Sequence, residues 1–498
     1  MKKTNIWGIF VALFILCLTA CHDNNDNNND NPDSGNTSNS NKEIDQWIYD
    51  NMKTYYLWTD QITANPDYKS TPATFFNSLL YKKEDRFSWI QENYVDLLNS
   101  LNGVEAQEIG FEYTFWWKSA KMDSLVIEVL YPRKGTDAYS KGIERGDFIT
   151  SVNGQAITGT NYKTILSGSS SYKFTVSKNL GNFKLSSPAT ITVSPSSKYA
   201  ENPVYLYKTI ATSGGNTGYL AYNFFANDPG DSTETYNKDL VNALNEFYNN
   251  NVSNLVLDLR YNSGGAISAA QILASGLVKS RTSSLLFAKN QYNTAVTNYL
   301  VGQYGSDVLN DYFLNSFTPE KPKSAPKVQI PNLGDKLNHI YILTGKYTAS
   351  ASELIINGLK PYMNITLIGD TTYGKNVGSI SIYDETSKTN KWGMQPIITK
   401  IYNSEGKSDY TNGFAPDYLA DDYYDPSGYA RVLKPLGDTG EYMLSIALGY
   451  INGTITKSSA TRSTTTSIRK AAKLDIQTGN RKFDMFIGNK RLKIKQIK

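Results

Sequence analysis

From about residue 203 onward, short β-branched apolar runs alternate with stretches whose apolar residues recur at helical spacing, the pattern of a sheet covered by helices. Tyr219–Tyr222 reads as a strand and Glu234–Tyr248 as a helix. Asn254-Leu-Val-Leu-Asp-Leu259 is a buried strand that runs into Arg260-Tyr-Asn-Ser-Gly-Gly265, followed by a helix over Ala266–Val278. Ile340–Thr344 is another such strand, ended by Gly345, and Ser350–Lys360 reads as a helix stopped by Pro361. Asn364–Ile368 is the next strand, and Thr371-Thr-Tyr-Gly-Lys375 is a loop beyond its end. Leu433–Tyr450 predicts the last helix of this unit, which occupies 198–455. The expected fold class is α/β.

Other periods hold upstream. Ile44, Trp47, Ile48, Met52 and Tyr55 recur at helical spacing, Thr71-Pro72 signals a helix start, and Tyr94–Leu101 is helical in pattern. Residues 42–103 are therefore expected to form a small helical cap. Residues 104–197 switch to strand chemistry, while the Asn/Asp/Ser/Gly-rich stretch 21–41 cannot bury a core and predicts a disordered tether. The polar, aromatic and proline-containing segment 285–330 has no role legible in the sequence. Residues 456–498 are Ser/Thr-rich and then basic, expected either as a solvated appendage or as a segment that docks on an anionic surface.

The chemistry concentrates at Ser350. A strand, a tight turn and a helix place it at a helix N-terminus, where free N–H groups and the macrodipole favour developing negative charge. Ser350-x-x-Glu353 is equally a capping box, in which both side chains serve the first N–H groups of the helix. A nucleophilic serine needs a base, and the chain has 2 histidines. His22 lies in the polar tract; His339 opens the strand whose far end leads to Ser350, and at about 3.3 Å per residue it stands well over 10 Å away. No G-x-S-x-G elbow occurs. The candidate base is then a lysine held neutral by burial or positive potential, and Lys375 follows the next strand. A lysine at its ordinary pKa of about 10.4 is well under 1% neutral near pH 7, so the role demands a depressed value.

Thr348-Ala-Ser-Ala-Ser-Glu353 followed by Tyr373-Gly-Lys375 resembles the active-site signature of the C-terminal processing peptidases, the S41 serine peptidases. Asp258-Leu-Arg-Tyr-Asn-Ser-Gly-Gly265, Asn412-Gly-Phe-Ala-Pro-Asp417 and Asp85-Arg-Phe-Ser-Trp89 resemble further motifs of that family. The resemblance implies a ClpP/crotonase-like peptidase core, Ser350 as nucleophile and Lys375 as base, with Ser352 an ordinary helix residue. Gly264 or Gly265 would then supply one N–H of an oxyanion hole and Ala351 the other. Asp258 and Arg260 are expected as a structural ion pair. Lys141-Gly-Ile-Glu-Arg-Gly-Asp-Phe-Ile-Thr-Ser-Val-Asn-Gly154 resembles part of a PDZ domain, so Ile109-Gly110-Phe111 would bind a peptide C-terminus at a sheet edge, or the domain would only brace the core. Pro361 and Ser379 stand where the family often carries an acid and a glutamine, which leaves Glu353 and Ser379 as candidates for the orienting third residue. The implied activity is an endopeptidase without metal or cofactor; a catalytically inactive peptide-binding module on the same fold is the alternative.

Charge and the N-terminus set the location. The formal net charge is only +4, too small to point to nucleic acid. Residues 457–498 carry twelve Lys/Arg against Asp475 and Asp484, a local +10, so the remainder is about −6 (4 − 10). Lys2-Lys3 precede an apolar run over Ile6–Leu18, long enough for a signal peptide (1–20) and too short to span a bilayer. Leu18-Thr-Ala-Cys21 resembles the bacterial lipoprotein box, which implies lipidation at Cys21 and a cell-envelope protein held at the outer membrane of a Gram-negative bacterium, and the tract after it resembles tethers of Bacteroidetes surface lipoproteins. Cys17 would leave with the signal, so no internal disulfide forms.

Overall fold

The computed structural model describes residues 35–68, 70–118, 121–456, 472–474 and 485–487. The expected signal peptide, Cys21, most of the tether and most of the basic tail lie outside the described residues. Helix α1 (Gly35–Tyr55) starts inside the stretch expected to be a tether. No helix among the described residues is long and apolar enough to cross a membrane.

A small N-terminal unit is built on α1, α2 (Pro72–Ser78) and α3 (Tyr94–Leu101). Pro72 fits the first turn of α2 because its missing N–H would be unsatisfied there, and Thr71 accepts the Thr74 N–H. Ile48, Met52, Tyr56, Phe75 and Phe76 are fully buried together with Met394, so this unit is packed onto the rest of the chain.

The next unit is a sheet of β1 (Phe111–Trp117), β2 (Leu125–Pro132), β3 (Asp147–Val152), β4 (Tyr172–Lys178) and β5 (Ala189–Val193), antiparallel in that order. Phe111, Phe115, Ile127, Ile149 and Phe174 fill its core.

The α/β core begins with β6 (Val204–Thr212), β7 (Gly215–Tyr222), α4 (Thr235–Asn249) and β8 (Asn254–Asp258). It continues through β9 (Gly265–Ala266), α5 (Ile267–Leu277), β10 (Leu286–Tyr292), β11 (Asn310–Tyr312), β12 (His339–Thr344) and α6 (Ala351–Leu359). Then come β13 (Ile365–Gly369), β14 (Val377–Ser379), β15 (Ile397–Tyr402), β16 (Tyr418–Leu419) and α7 (Tyr442–Ile451). One sheet runs β6-β7-β8-β12-β13-β16, parallel from β7 onward. Leu255, Leu257, Ile340 and Ile342 face α4, α5 and α6, whereas Val256, Tyr341 and Leu343 face Met443, Leu444 and Ala447 of α7. Burial on both faces is why these strands read as unbroken apolar runs.

The last helix starts at Tyr442, not at Leu433. Pro435 and two successive turns, closed by Asp438 N–H to Pro435 O and Glu441 N–H to Asp438 O, keep this stretch out of the helix, and Glu441 caps the helix by accepting the Leu444 N–H at 3.0 Å. The same carboxylate binds Arg260, which also reaches Asp258 and Asp422, all nearly fully buried. Asp258 and Arg260 are therefore ion-paired in the core.

The second core sheet corrects the expectation for the tail. Its order is β9, then β18 (Met485–Phe486), then β14-β15-β10-β11. The segment 285–330 is thus built into this sheet through β10 and β11. A further tail strand, β17 (Ala472–Leu474), adds antiparallel to β1. At these positions the tail is not a solvated appendage. Met485 and Ile487, two apart on one strand face, are buried because two sheet edges stand open to receive backbone hydrogen bonds.

Candidate active site

Strands β8, β12 and β13 are parallel neighbours, and the loops leaving their carboxyl ends carry Gly264–Gly265, Ser350 and Lys375. Crevices beyond the carboxyl ends of parallel strands are where open α/β sheets place their ligands.

Ser350 has φ 65° and ψ −115°, a left-handed conformation that a residue with a Cβ adopts only when its surroundings impose it. Thr348 anchors that turn: its Oγ1 donates to Leu259 O at 2.7 Å and accepts the Gly345 N–H at 2.8 Å. Ala349 N–H and Ser352 Oγ both donate to Asn262 O, which ties the serine turn to the glycine loop. Ser350 is fully buried, and its Oγ makes no hydrogen bond among the described residues. Both halves of the capping box are in place around Ser350 and Glu353: Glu353 Oε2 accepts the Ser350 N–H at 2.8 Å, while the serine Oγ completes no hydrogen bond of its own among the described residues. Ala351 N–H opens α6 and has no intrahelical partner.

Glu353 is the hub of the site. Its Oε2 also accepts the Lys375 N–H at 2.7 Å, and its Oε1 accepts from Gly374 N–H at 2.7 Å and Thr372 Oγ1 at 2.6 Å. Burial pushes its carboxyl pKa up, and the four donors pull it back. The lysine loop is tight as well: Gly374 sits at φ +93°, and a Cβ there would come within 2.3 Å of Thr411 O. Lys375 is 1% exposed, with its ammonium 5.0 Å from the Phe87 ring centroid.

The two glycines part company. Gly264 N–H donates to Asn262 Oδ1 at 2.9 Å, so it is already engaged and does not face an oxyanion in this conformation. Gly265, at φ +135°, lies so close to Phe225 O that a Cβ would fall 2.0 Å from it; only glycine fits. Ser379 Oγ donates to Met485 O at 3.2 Å, and its own carbonyl accepts the Ile487 N–H at 2.9 Å. As expected from strand length, His339 stands at the opposite end of β12, a span of about 16 Å of extended chain, with Nε2 at 2.8 Å from Thr366 Oγ1.

At the β1 edge, Ile109, Gly110 and Phe111 lead into the strand as the sequence suggests, but Gly110 N–H donates to Glu108 Oε1 at 2.7 Å. An internal carboxylate occupies the donor expected to hold a peptide terminus. Glu108 is itself paired with Arg133, which also binds Glu112 and Glu201.

The model of peptidase family S41 matches residues 216–420, and that of the S41 N-terminal domain matches 43–89. The chain belongs to peptidase family S41, a family of serine peptidases. Carboxy-terminal processing protease CtpA of Bacillus subtilis is 26% identical over 340 residues, which cover 65% of this chain and 61% of the Bacillus protein. The carboxy-terminal-processing protease of Bartonella bacilliformis is 24% identical over 380 residues, 75% of this chain and 74% of that protein. Among solved structures, an S41 protease of Bacteroides fragilis superposes with a TM-score of 0.66 at 26% identity, covering 82% of this chain and 98% of that one. The S41 fold here is mixed α/β with a small N-terminal domain.

That N-terminal domain contributes residues to the site that sequence reasoning did not single out. Arg86 donates to Gly374 O at 2.7 Å and Thr411 O at 3.0 Å, and the Phe87 ring has its centroid 6.1 Å from that of Tyr373 and 5.0 Å from the Lys375 ammonium. Asp85 shapes the turn by accepting the Phe87 and Ser88 N–H groups at 2.9 Å. The signal was the Asp85–Trp89 motif, whose place beside the lysine loop only the fold reveals.

Proposed function

We propose that the chain is a serine endopeptidase of the C-terminal processing type, working through Ser350 and Lys375. The observation that carries this reading is the state of Ser350: strained, fully buried, at the N-terminus of α6, with a hydroxyl that makes no hydrogen bond among the described residues. Neutral Lys375 takes the proton as Ser350 Oγ attacks the scissile carbonyl. The N–H groups of Ala351 and Gly265 receive the oxyanion; a donor of this kind supplies about 3–4 kcal/mol of transition-state stabilisation. Collapse breaks the C–N bond, and the Lys375 proton leaves with the amine. Water then attacks the acyl ester as Lys375 accepts its proton; the bond from the acyl carbon to Ser350 Oγ breaks, the acid product leaves, and Lys375 returns the proton to Ser350 Oγ. Glu353 holds the two segments in register and is a positioning residue.

Substrates are proteins or peptides of the cell envelope, and the chain acts as a lipoprotein anchored through Cys21, with residues 104–197 as a PDZ-like substrate-handling domain on a ClpP/crotonase-like core. A fluorophosphonate probe tests the central claim. It is expected to label the wild-type chain at Ser350 and to leave Ser350→Ala unlabelled; an unmarked wild type removes the enzymatic reading. Cys21→Ser is expected to release the protein from the membrane fraction, and unchanged fractionation removes the anchor.

A further inference from the structure

The tail strand β18 lies where nothing in the reaction requires the enzyme's own chain. It is inserted between β9, which carries Gly265, and β14, which follows Lys375 by two residues. It runs parallel to both, with Gly265 opposite Met485, Ala266 opposite Phe486, and Ser379 opposite Phe486. Ile487 N–H donates to Ser379 O at 2.9 Å, and Ser379 Oγ donates to Met485 O at 3.2 Å, so one residue of β14 reads the tail's backbone twice. Met485 is 0% exposed and Ile487 5%, both within the main core cluster. These contacts are to main chain and to an apolar pocket, and they recognise an extended segment of any sequence with apolar residues two apart.

A second part of the same tail occupies a second open edge. β17 adds to β1 with Ala472 opposite Trp117, Lys473 opposite Trp116 and Leu474 opposite Phe115. Lys473 N–H donates to Tyr424 Oη at 3.2 Å, and its ammonium lies 3.9 Å from the centroid of the Tyr423 ring. This pairing takes in Phe115–Trp117, at the other end of β1 from Gly110, whose N–H is engaged by Glu108, and it is made by residues inside the tail. Both slots therefore accept internal extended chain.

We infer that the C-terminal tail is a tethered stand-in for substrate: the gap between β9 and β14 is the groove that holds an extended polypeptide beside Ser350, and Met485–Ile487 must leave before a substrate enters. The inference rests on the reading of Ser350 as nucleophile for its meaning, but the groove is testable by binding alone. A tethered segment competes at an effective concentration in the millimolar range, so a tail of about 0.1 mM intrinsic affinity weakens any substrate in the same groove roughly tenfold.

Two full-length variants unseat the strand without touching the catalytic residues. Met485→Glu forces a charge into the apolar pocket, and Ile487→Pro removes the donor to Ser379. The probe is a fluorescein-labelled peptide of residues 481–490. Both variants are expected to bind it roughly tenfold more tightly than the wild-type chain and to show a KM for β-casein lowered by a similar factor at unchanged kcat. In the wild-type chain, hydrogen exchange is expected to show a protected Ile487 amide that loses protection when excess unlabelled peptide is added. Equal peptide affinity in the variants and the wild type, or an Ile487 amide whose protection excess peptide leaves unchanged, overturns the inference even where fluorophosphonate labels Ser350. Failure of that label overturns the peptidase reading instead and leaves the peptide-binding result to decide the groove.

Discussion

Ser350 and Lys375 are joined through a single atom: Glu353 Oε2 accepts the backbone N–H of the serine at 2.8 Å and that of the lysine at 2.7 Å. Twenty-five residues apart in sequence (375 − 350), they are held in one frame by a carboxylate on the first turn of α6. A carboxylate is acceptor-only, so it suits a cage made entirely of donors; an amide does not.

Glu353→Gln is the sharp test of that frame. Its NH2 group must face at least one of the Ser350, Lys375, Gly374 or Thr372 donors, and one buried clash of this kind costs about 1–3 kcal/mol. The expected outcome is a lowered kcat with little change in KM, since in the proposed mechanism the variant displaces Ser350 and Lys375 and leaves the proposed groove intact. Steady-state kinetics on a peptide substrate measure the split. A variant with kcat unchanged and only stability reduced would make Glu353 a helix cap and nothing more.

The base is tested by exchanging charges that look alike. Lys375→Ala and Lys375→Arg are both expected to lose at least about a thousandfold in kcat/KM, because guanidinium stays protonated and alanine has no group to take the serine proton. His339→Ala is expected to remain within about twofold of wild type, as it replaces a side chain at the other end of β12. With Lys375 as the proposed base, wild-type activity is expected to rise with pH, because only a neutral amine can accept the serine proton. Activity in Lys375→Arg, or its loss in His339→Ala, would require another base.

Much of this site was legible because its signals are local. Ile340–Thr344, Gly345 and the Ser350–Glu353 box spell out a strand, a turn and a helix start within a few residues, and the Lys375 loop repeats the logic one strand later. What stayed hidden depends on contacts distant in sequence. Nothing in Met485-Phe-Ile487 says that it pairs with Gly265 and Ser379, because a three-residue apolar run in a basic tail has no period of its own. Gly264 and Gly265 are indistinguishable until Asn262 engages one of them. Arg86 and Phe87 became site residues only once the N-terminal domain packed against the Lys375 loop.

The β1 edge yields a prediction contrary to simple chain-end recognition. With Gly110 N–H held by Glu108, a peptide carboxylate arriving there meets a buried negative charge in place of a donor. Residues Arg133, Glu112 and Glu201 complete a cluster with more acid than base. Peptides with free and amidated C-termini are therefore expected to bind the full chain equally well. Glu108→Gln removes the charge and is expected to introduce a preference of severalfold for the free terminus. Fluorescence anisotropy on matched peptides reads both results, and a wild-type preference for free termini would mean that Glu108 yields its place to the ligand.

The β1–β2 sheet also carries a buried acid with a calculable effect on stability. Glu128 on β2 is fully buried and accepts the Trp116 indole N–H at 2.7 Å. Burial, opposed by that hydrogen bond and by Arg145, pushes its pKa up to about 8 from 4.5. The folded chain then keeps a proton that the unfolded chain releases above about pH 4.5, so folded protein binds more protons throughout this window. Stability must fall as pH rises from about 4.5 to about 8, by an amount on the order of 3–5 kcal/mol. Glu128→Gln retains an acceptor for Trp116 and carries no charge at any pH. Denaturant melts at pH 5 and pH 8 are expected to show wild type losing stability relative to Glu128→Gln between the two. Parallel curves for the two proteins would mean that Glu128 is ionised in the folded state, with Arg145 and Lys473 outweighing its burial.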